Sequence, residues 1–144
     1  MKKLLLIALI IVGCEPKDSE NISSGIKWGN NLDSAFDIAS ISNKLIMIDF
    51  MAEWCPPCKE MDKTTFLNIK VIKKSNEFIP IRIDVDKQKN IAEKYNGNAR
   101  KYGGIGIPNI LFIDKEKNII RQIVGFHNVN QLEGIMDSVL MKLY

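Results

Sequence analysis

Four short apolar runs constrain the fold of this chain most. They are "KLIMIDF" (44–50), "FIPIRIDVD" (78–86), "NILFID" (109–114) and "NIIRQIV" (118–124). The first is apolar almost without interruption, as expected of a strand covered on both faces, and the second reads as another buried strand. Segments of helical period lie between and around them. "NLDSAFDIASIS" puts Leu32, Ala35, Phe36 and Ala39 on one face, and the stretch after Phe50 is helical from about Pro57 through Thr65. "NIKVIKKSN" follows, then "KQKNIAEKYNGNARKYG", which is interrupted at Asn96-Gly97. The last segment repeats apolar residues at threes and fours. Strands separated by helices predict parallel crossovers, and the polar turn Lys115 to Asn118 predicts a final antiparallel hairpin. The pattern predicts an α/β three-layer sandwich, a central mixed sheet with helices on both faces.

With 144 residues, 46% hydrophobic and 26% charged, the chain has enough apolar material for one domain with a proper core. A net charge of +3 and no basic run interleaved with aromatics argue against nucleic acid as a partner. The N-terminus reads as export signal rather than fold. Lys2 and Lys3 precede nine apolar residues, Leu4 to Val12, too few to span a bilayer as a helix. "IVGC" then resembles the lipobox of bacterial lipoproteins. That resemblance implies a signal peptide over 1–13 and a lipidated Cys14; ordinary cleavage leaving a free thiol is the alternative. Residues 14–25 read as a flexible tether spanning on the order of 20 Å, and 26–144 as the folded domain. The expected location is the periplasmic face or cell envelope, anchored to a membrane by lipid.

If Cys14 carries lipid, Cys55 and Cys58 remain as a pair in an oxidising compartment. They sit in "DFMAEWCPPCKEMDKTTF" (49–66), at a strand-to-helix turn. Zinc needs about four ligands, and beyond this pair the chain offers only Cys14 and His127, so no metal is expected. A permanent structural disulfide is the plainer alternative, although a bridge closing so short a loop gains little from loop entropy. A redox pair has its own logic. Cys55 at a helix N-terminus has a favoured thiolate and is the candidate nucleophile. Cys58, one turn in and expected to be more buried, is the candidate resolving thiol. Asp49 lies between Ile48 and Phe50, so its carboxyl is expected to be buried, with a raised pKa.

"LIMIDFMAEWCPPCK" resembles the thioredoxin active-site segment, and "KYGGIGIPNILFIDKEKN" resembles the later thioredoxin stretch that carries a cis-proline. The resemblance covers about residues 28 to 143 and implies a thioredoxin-like fold. It implies substrate-binding roles for Trp54, Pro56, Pro57, Ile107 and Pro108, with Pro108 as the cis-proline, and places Gly125 near the active-site surface. It also implies a catalytic role for Asp49, as the acid beneath the disulfide that takes a proton from Cys58. Within the superfamily, "WCPPCKEMDKTTF" is most similar to the C-terminal domain of the DsbD thiol:disulfide interchange proteins, in which a second acid, usually Glu, stands where this chain has Asp62. Asp62 is therefore a further candidate catalytic residue, one methylene shorter. The resemblance implies a monomeric protein-disulfide reductase with no cofactor beyond the Cys55/Cys58 pair. Its partners would be disulfide-bearing exported proteins and a DsbD-type membrane reductant conductor. A cytochrome c maturation thioredoxin and a non-catalytic peptide-binding module are the alternatives. Proline at 56 and 57 removes two N–H donors from a Cys55 thiolate, and Asp49, Glu53 and Asp62 add negative charge, so the pair is expected to give electrons rather than take them.

Overall fold

A computed structural model describes residues 25–143, so Cys14, the signal segment and nearly all of the tether lie outside the described residues. The elements are α1 (Leu32–Ser42), β1 (Ile46–Met51), α2 (Pro56–Lys63), α3 (Ile69–Ser75), β2 (Ile79–Asp84), α4 (Lys89–Lys94), β3 (Asn109–Ile113), β4 (Ile119–Val124) and α5 (Val129–Leu140). The four strands form one sheet in the order β2-β1-β3-β4.

Alternation along the strands divides the core into two layers. Ile46, Ile48 and Phe50 of β1, Ile79, Ile81 and Ile83 of β2, and Leu111 and Ile113 of β3 pack with Leu32, Ala35 and Ala39 of α1 and Ala92 of α4. Met47, Ile110 and Phe112 face the other way, onto Met61 of α2, Val71 and Ile72 of α3, and Leu132, Met136 and Val139 of α5. Phe36 packs against the first layer only partly buried. β1 sits centrally, with every residue but Met51 buried. That is why its sequence is apolar nearly throughout and why Asp49 is an exception with consequences.

The sheet is mixed as expected, but its antiparallel part is larger than a closing hairpin. β1 and β2 are parallel. β3, although reached through a helix, runs antiparallel to β1, with Phe50 opposite Asn109. α4 has six residues and spans only about 9 Å, against about 20 Å for a six-residue strand. The connection as a whole, residues 85–108, does not return along the sheet, and β3 starts at the end where β2 stops. The connection stays at that end: Val85 N–H donates to Met51 O, and Gln122 Nε2 donates to Tyr95 O.

Asn96-Gly97, where the helical pattern breaks, lies against the core. A Cβ on Gly97 would stand 2.4 Å from Cγ of Phe50, whose side chain is fully buried and cannot yield. Gly97→Ala is therefore expected to cost about 1–3 kcal/mol through overpacking. Urea unfolding reads this; an unchanged midpoint would mean that the ring moves aside freely.

Candidate active site

The turn leaving β1 places the cysteines. Cys55 N–H donates to Ala52 O at 3.1 Å, and Cys55 is the N-cap of α2. Pro56 and Pro57 occupy the first two helical positions, where a missing N–H costs nothing within the helix. Lys59 N–H is spent on Cys55 O. The one first-turn donor left for sulfur is Cys58 N–H, which lies 3.3 Å from Cys55 Sγ. The helix terminus thus directs a single N–H at Cys55. The two cysteines are joined as a disulfide with their Cα atoms 5.3 Å apart. The expectation that Cys58 is the more buried is corrected: the residues are 2% and 3% exposed. Both belong to the core layer that holds Phe50, Tyr95 and Ala99, and neither stands out from it.

Asp49 is 1% exposed, and its pKa is pushed up to about 6. Loss of hydration on burial is the main cause; Arg82 opposes it and Asp62 adds a smaller upward push. Arg82 faces Asp49 in the β1–β2 register. Its Nε and Nη2 lie 3.0 and 2.8 Å from Asp49 Oδ2, and its Nη2 also lies 2.7 Å from Asp62 Oδ1. The guanidinium packs 4.6 Å from the Trp28 ring and 5.4 Å from Phe66, which meet edge to face. Among the described residues, Oδ1 of Asp49 has no hydrogen-bond partner. It is a buried acceptor left open. Asp62 follows Cys58 by four residues on α2, so one helix face carries both the inner sulfur and one end of this acid–arginine–acid array.

Arg82 is the site residue that sequence reasoning missed. Its presence also changes the charge balance around the cysteines. Asp49 and Asp62 share its positive charge, and Glu53 is exposed and paired with Lys87 Nζ at 3.0 Å. Glu53 is thus paired, and Arg82 offsets one of the two charges that Asp49 and Asp62 carry when both are ionised. The double proline remains as the local feature that withholds stabilisation from a Cys55 thiolate.

The Ile107–Pro108 peptide is cis. Pro108 O accepts Gly125 N–H at 2.7 Å, which ties the loop before β3 to the end of β4; Gly125 adopts φ +94°, a conformation that favours glycine. Between these segments runs an open groove of about 350 Å³, lined by Trp54, Ala99, Arg100, Lys101, Gly106, Ile107, Val124 and Gly125. Trp54 and Ile107 thus meet in one groove, with Pro108 behind it. Pro56 and Pro57 are exposed at the head of α2. Trp54 is held from outside, its indole N–H donating to Asp86 Oδ2 at 2.7 Å. His127 makes a short-range contact through Nδ1 to Gly125 O, and its own carbonyl accepts the Thr65 hydroxyl. No group of three or more His, Cys, Asp or Glu side chains is gathered among the described residues.

The raised pKa of Asp49 has a sign that can be tested. The folded state keeps this proton where the unfolded chain, with a value near 3.8, has lost it. Stability from this group therefore falls as pH rises from about 4 to about 6, at an eventual cost of about 3 kcal/mol. Asp49→Asn is expected to remove that slope and to raise stability at pH 7.5 by up to about 3 kcal/mol. Denaturant midpoints of the oxidised protein at pH 4.5 and 7.5 would show it, and parallel slopes for the two proteins would contradict it.

A family model described as a thioredoxin-like domain matches residues 32–140. The thiol:disulfide interchange protein DsbD of Campylobacter jejuni is 29% identical over 103 residues, covering 72% of this chain and 18% of that protein. DsbD of Yersinia pestis is 33% identical over 96 residues, covering 65% and 16%. This chain thus spans less than a fifth of the length of these curated relatives. Among solved structures, the oxidised C-terminal domain of Neisseria meningitidis DsbD aligns with a TM-score of 0.57 at 21% identity, over 77% of this chain and 97% of that one. A thioredoxin from Thermus thermophilus aligns with a TM-score of 0.66 at 19% identity, over 82% and 89%. At these identities the structural likeness speaks for the fold. The sequence match is to DsbD, and the domain is of the thiol-disulfide oxidoreductase type. The chain belongs to the thioredoxin-like domain family.

Proposed function

We propose that this protein is a thiol-disulfide oxidoreductase that works outside the cytoplasm as a reductant of disulfides in exported proteins. One observation carries the chemistry: the Cys55–Cys58 pair heads a helix whose own face leads to a buried carboxyl of raised pKa with one oxygen unengaged. In the reduced protein, the Cys55 thiolate attacks a substrate disulfide, forming a Cys55–substrate mixed disulfide and releasing one substrate thiolate. Asp49 accepts the Cys58 proton. The Cys58 thiolate then attacks Cys55 sulfur, closing the Cys55–Cys58 disulfide and releasing the second substrate thiolate. Two electrons pass to the substrate, and an external dithiol must return them. A DsbD-type membrane reductant conductor would supply them, and lipid on Cys14 would hold the domain near it.

In this scheme Trp54, Pro56, Pro57 and Ile107 form the surface against which the substrate segment lies, and the buried Pro108 sets the loop behind it. Asp62 acts through Arg82, as a positioning residue. The reducing direction rests on the two prolines, which leave Cys55 one N–H donor with which to stabilise a thiolate. The test is the reduction potential of the purified domain against a glutathione or dithiothreitol series. A value of about −200 to −270 mV is expected. One at or above about −150 mV would assign the protein to oxidation or isomerisation instead.

A further inference from the structure

The groove beside the disulfide has a charge that the fold does not require. Its walls contain two cations, Arg100 and Lys101, and no carboxylate. Neither cation forms a salt bridge among the described residues. Arg100 donates only a long Nε–H bond to Ile105 O at 3.4 Å. Lys101 Nζ stands over the Trp54 ring, 3.5 Å from its centroid. Asp86, the acid in contact with this cluster, feels Lys101 and Lys89 and offsets one of the cluster's positive charges. Its Oδ2 accepts the Trp54 indole N–H, and its Oδ1 accepts the Tyr102 hydroxyl at 2.5 Å. Lys89 adds a third positive charge near the Tyr102 ring. The floor between the cations is apolar and narrow: a Cβ on Gly106 would stand 3.4 Å from both Arg100 Nε and Val124 Cγ1. Ile107 and Val124 complete it.

We propose that this groove selects target segments in which an acidic residue lies within two or three positions of the reacting cysteine, with an apolar residue between them. The inference rests on the reductant reading above and names its substrate class. Arg100 and Lys101 are the specificity-determining residues. Their carboxylate partner comes from the substrate, and the apolar residue covers Ile107 and Val124. An exposed ion pair is worth at most about fivefold in affinity, so two cations acting on one short segment give on the order of tenfold. Such a preference is screened by salt.

The experiment compares the reduced full-length protein acting on two synthetic peptide disulfides that differ only in Asp or Lys two positions from the cysteine, with leucine between. Hydroxyethyl disulfide serves as an uncharged substrate. The ratio of kcat/KM for the acidic over the basic peptide is expected to be about tenfold at low ionic strength and to shrink toward about twofold in 0.5 M salt. R100Q/K101Q is expected to bring the ratio close to one, whereas the charge-conserving R100K/K101R keeps it. Equal rates on the two peptides, or a preference that survives in R100Q/K101Q, would overturn the assignment. If hydroxyethyl disulfide is turned over but neither peptide is, the groove assignment fails while the redox reading stands. If no disulfide is reduced, the reading fails and takes the assignment with it.

Discussion

Replacing Arg82 with Met is expected to destabilise the folded domain by about 3 kcal/mol at pH 7.5. Removing one partner of a buried ion pair costs about 3–5 kcal/mol, because a charge is left without hydration or partner. The lower end applies here because Asp49, already raised to about 6 with Arg82 present, can escape by binding a proton. That escape fixes the pH dependence. Without Arg82 the folded-state value of Asp49 rises further, so the loss of stability that accompanies its ionisation continues to higher pH than in the wild type. The two proteins should therefore differ most above about pH 7 and least near pH 5, where Asp49 holds its proton in both. Adding Asp49→Asn to Arg82→Met should recover most of the loss, since the charge Arg82 served is then gone. Arg82→Lys should fall between, because one ammonium cannot reproduce the contacts that Nε and Nη2 make with Asp49 and Asp62. Denaturant midpoints across pH 5 to 8 for the four proteins decide this. A pH-independent loss would place Arg82's contribution in its packing on Trp28 and Phe66 rather than in the pair.

Arg82 also shows where sequence stopped being informative. Asp49 was legible because it interrupts an apolar run, and such a run marks a strand with both faces covered. Arg82 stands in "FIPIRIDVD", which reads as a buried strand and gives no local reason to single out its one arginine. Only the parallel register that sets it against Asp49 reveals its role, and nothing local to either strand encodes that register. The direction of β3 was hidden for a related reason: a helix between strands signals a crossover, but here the connection ends on the same side of the sheet as it began. The cysteine turn and the Ile107–Pro108 loop were visible because each is a contiguous motif. The groove they share was not, since Arg100, Lys101 and Val124 come from two segments that meet only once β4 has paired with β3.

The cysteines should separate in function even though they are equally buried. Their difference is electrostatic rather than steric: the available first-turn N–H points at Cys55 Sγ, while Cys58 lies within the helix on the face leading toward Asp62. Cys55→Ser should therefore lower disulfide reduction by on the order of a thousandfold or more, since it removes the attacking sulfur of a unit whose members act together. Cys58→Ala should lose turnover to a similar extent but by a different route. It can still attack, so one substrate chain should accumulate on Cys55 as a mixed disulfide, stable to non-reducing electrophoresis and released by dithiothreitol. The identity of the trapped chains then bears on the remaining alternatives. Cytochrome c apoprotein alone would point to a maturation thioredoxin, and a spread of exported proteins with a membrane conductor to a general reductant. A peptide-binding module would hold its partners equally well with Cys55→Ser and would leave no covalent adduct with either variant. Adducts on Cys55→Ser but not on Cys58→Ala would reverse the two roles, and the single N–H at Cys55 would then have no part in selecting the nucleophile.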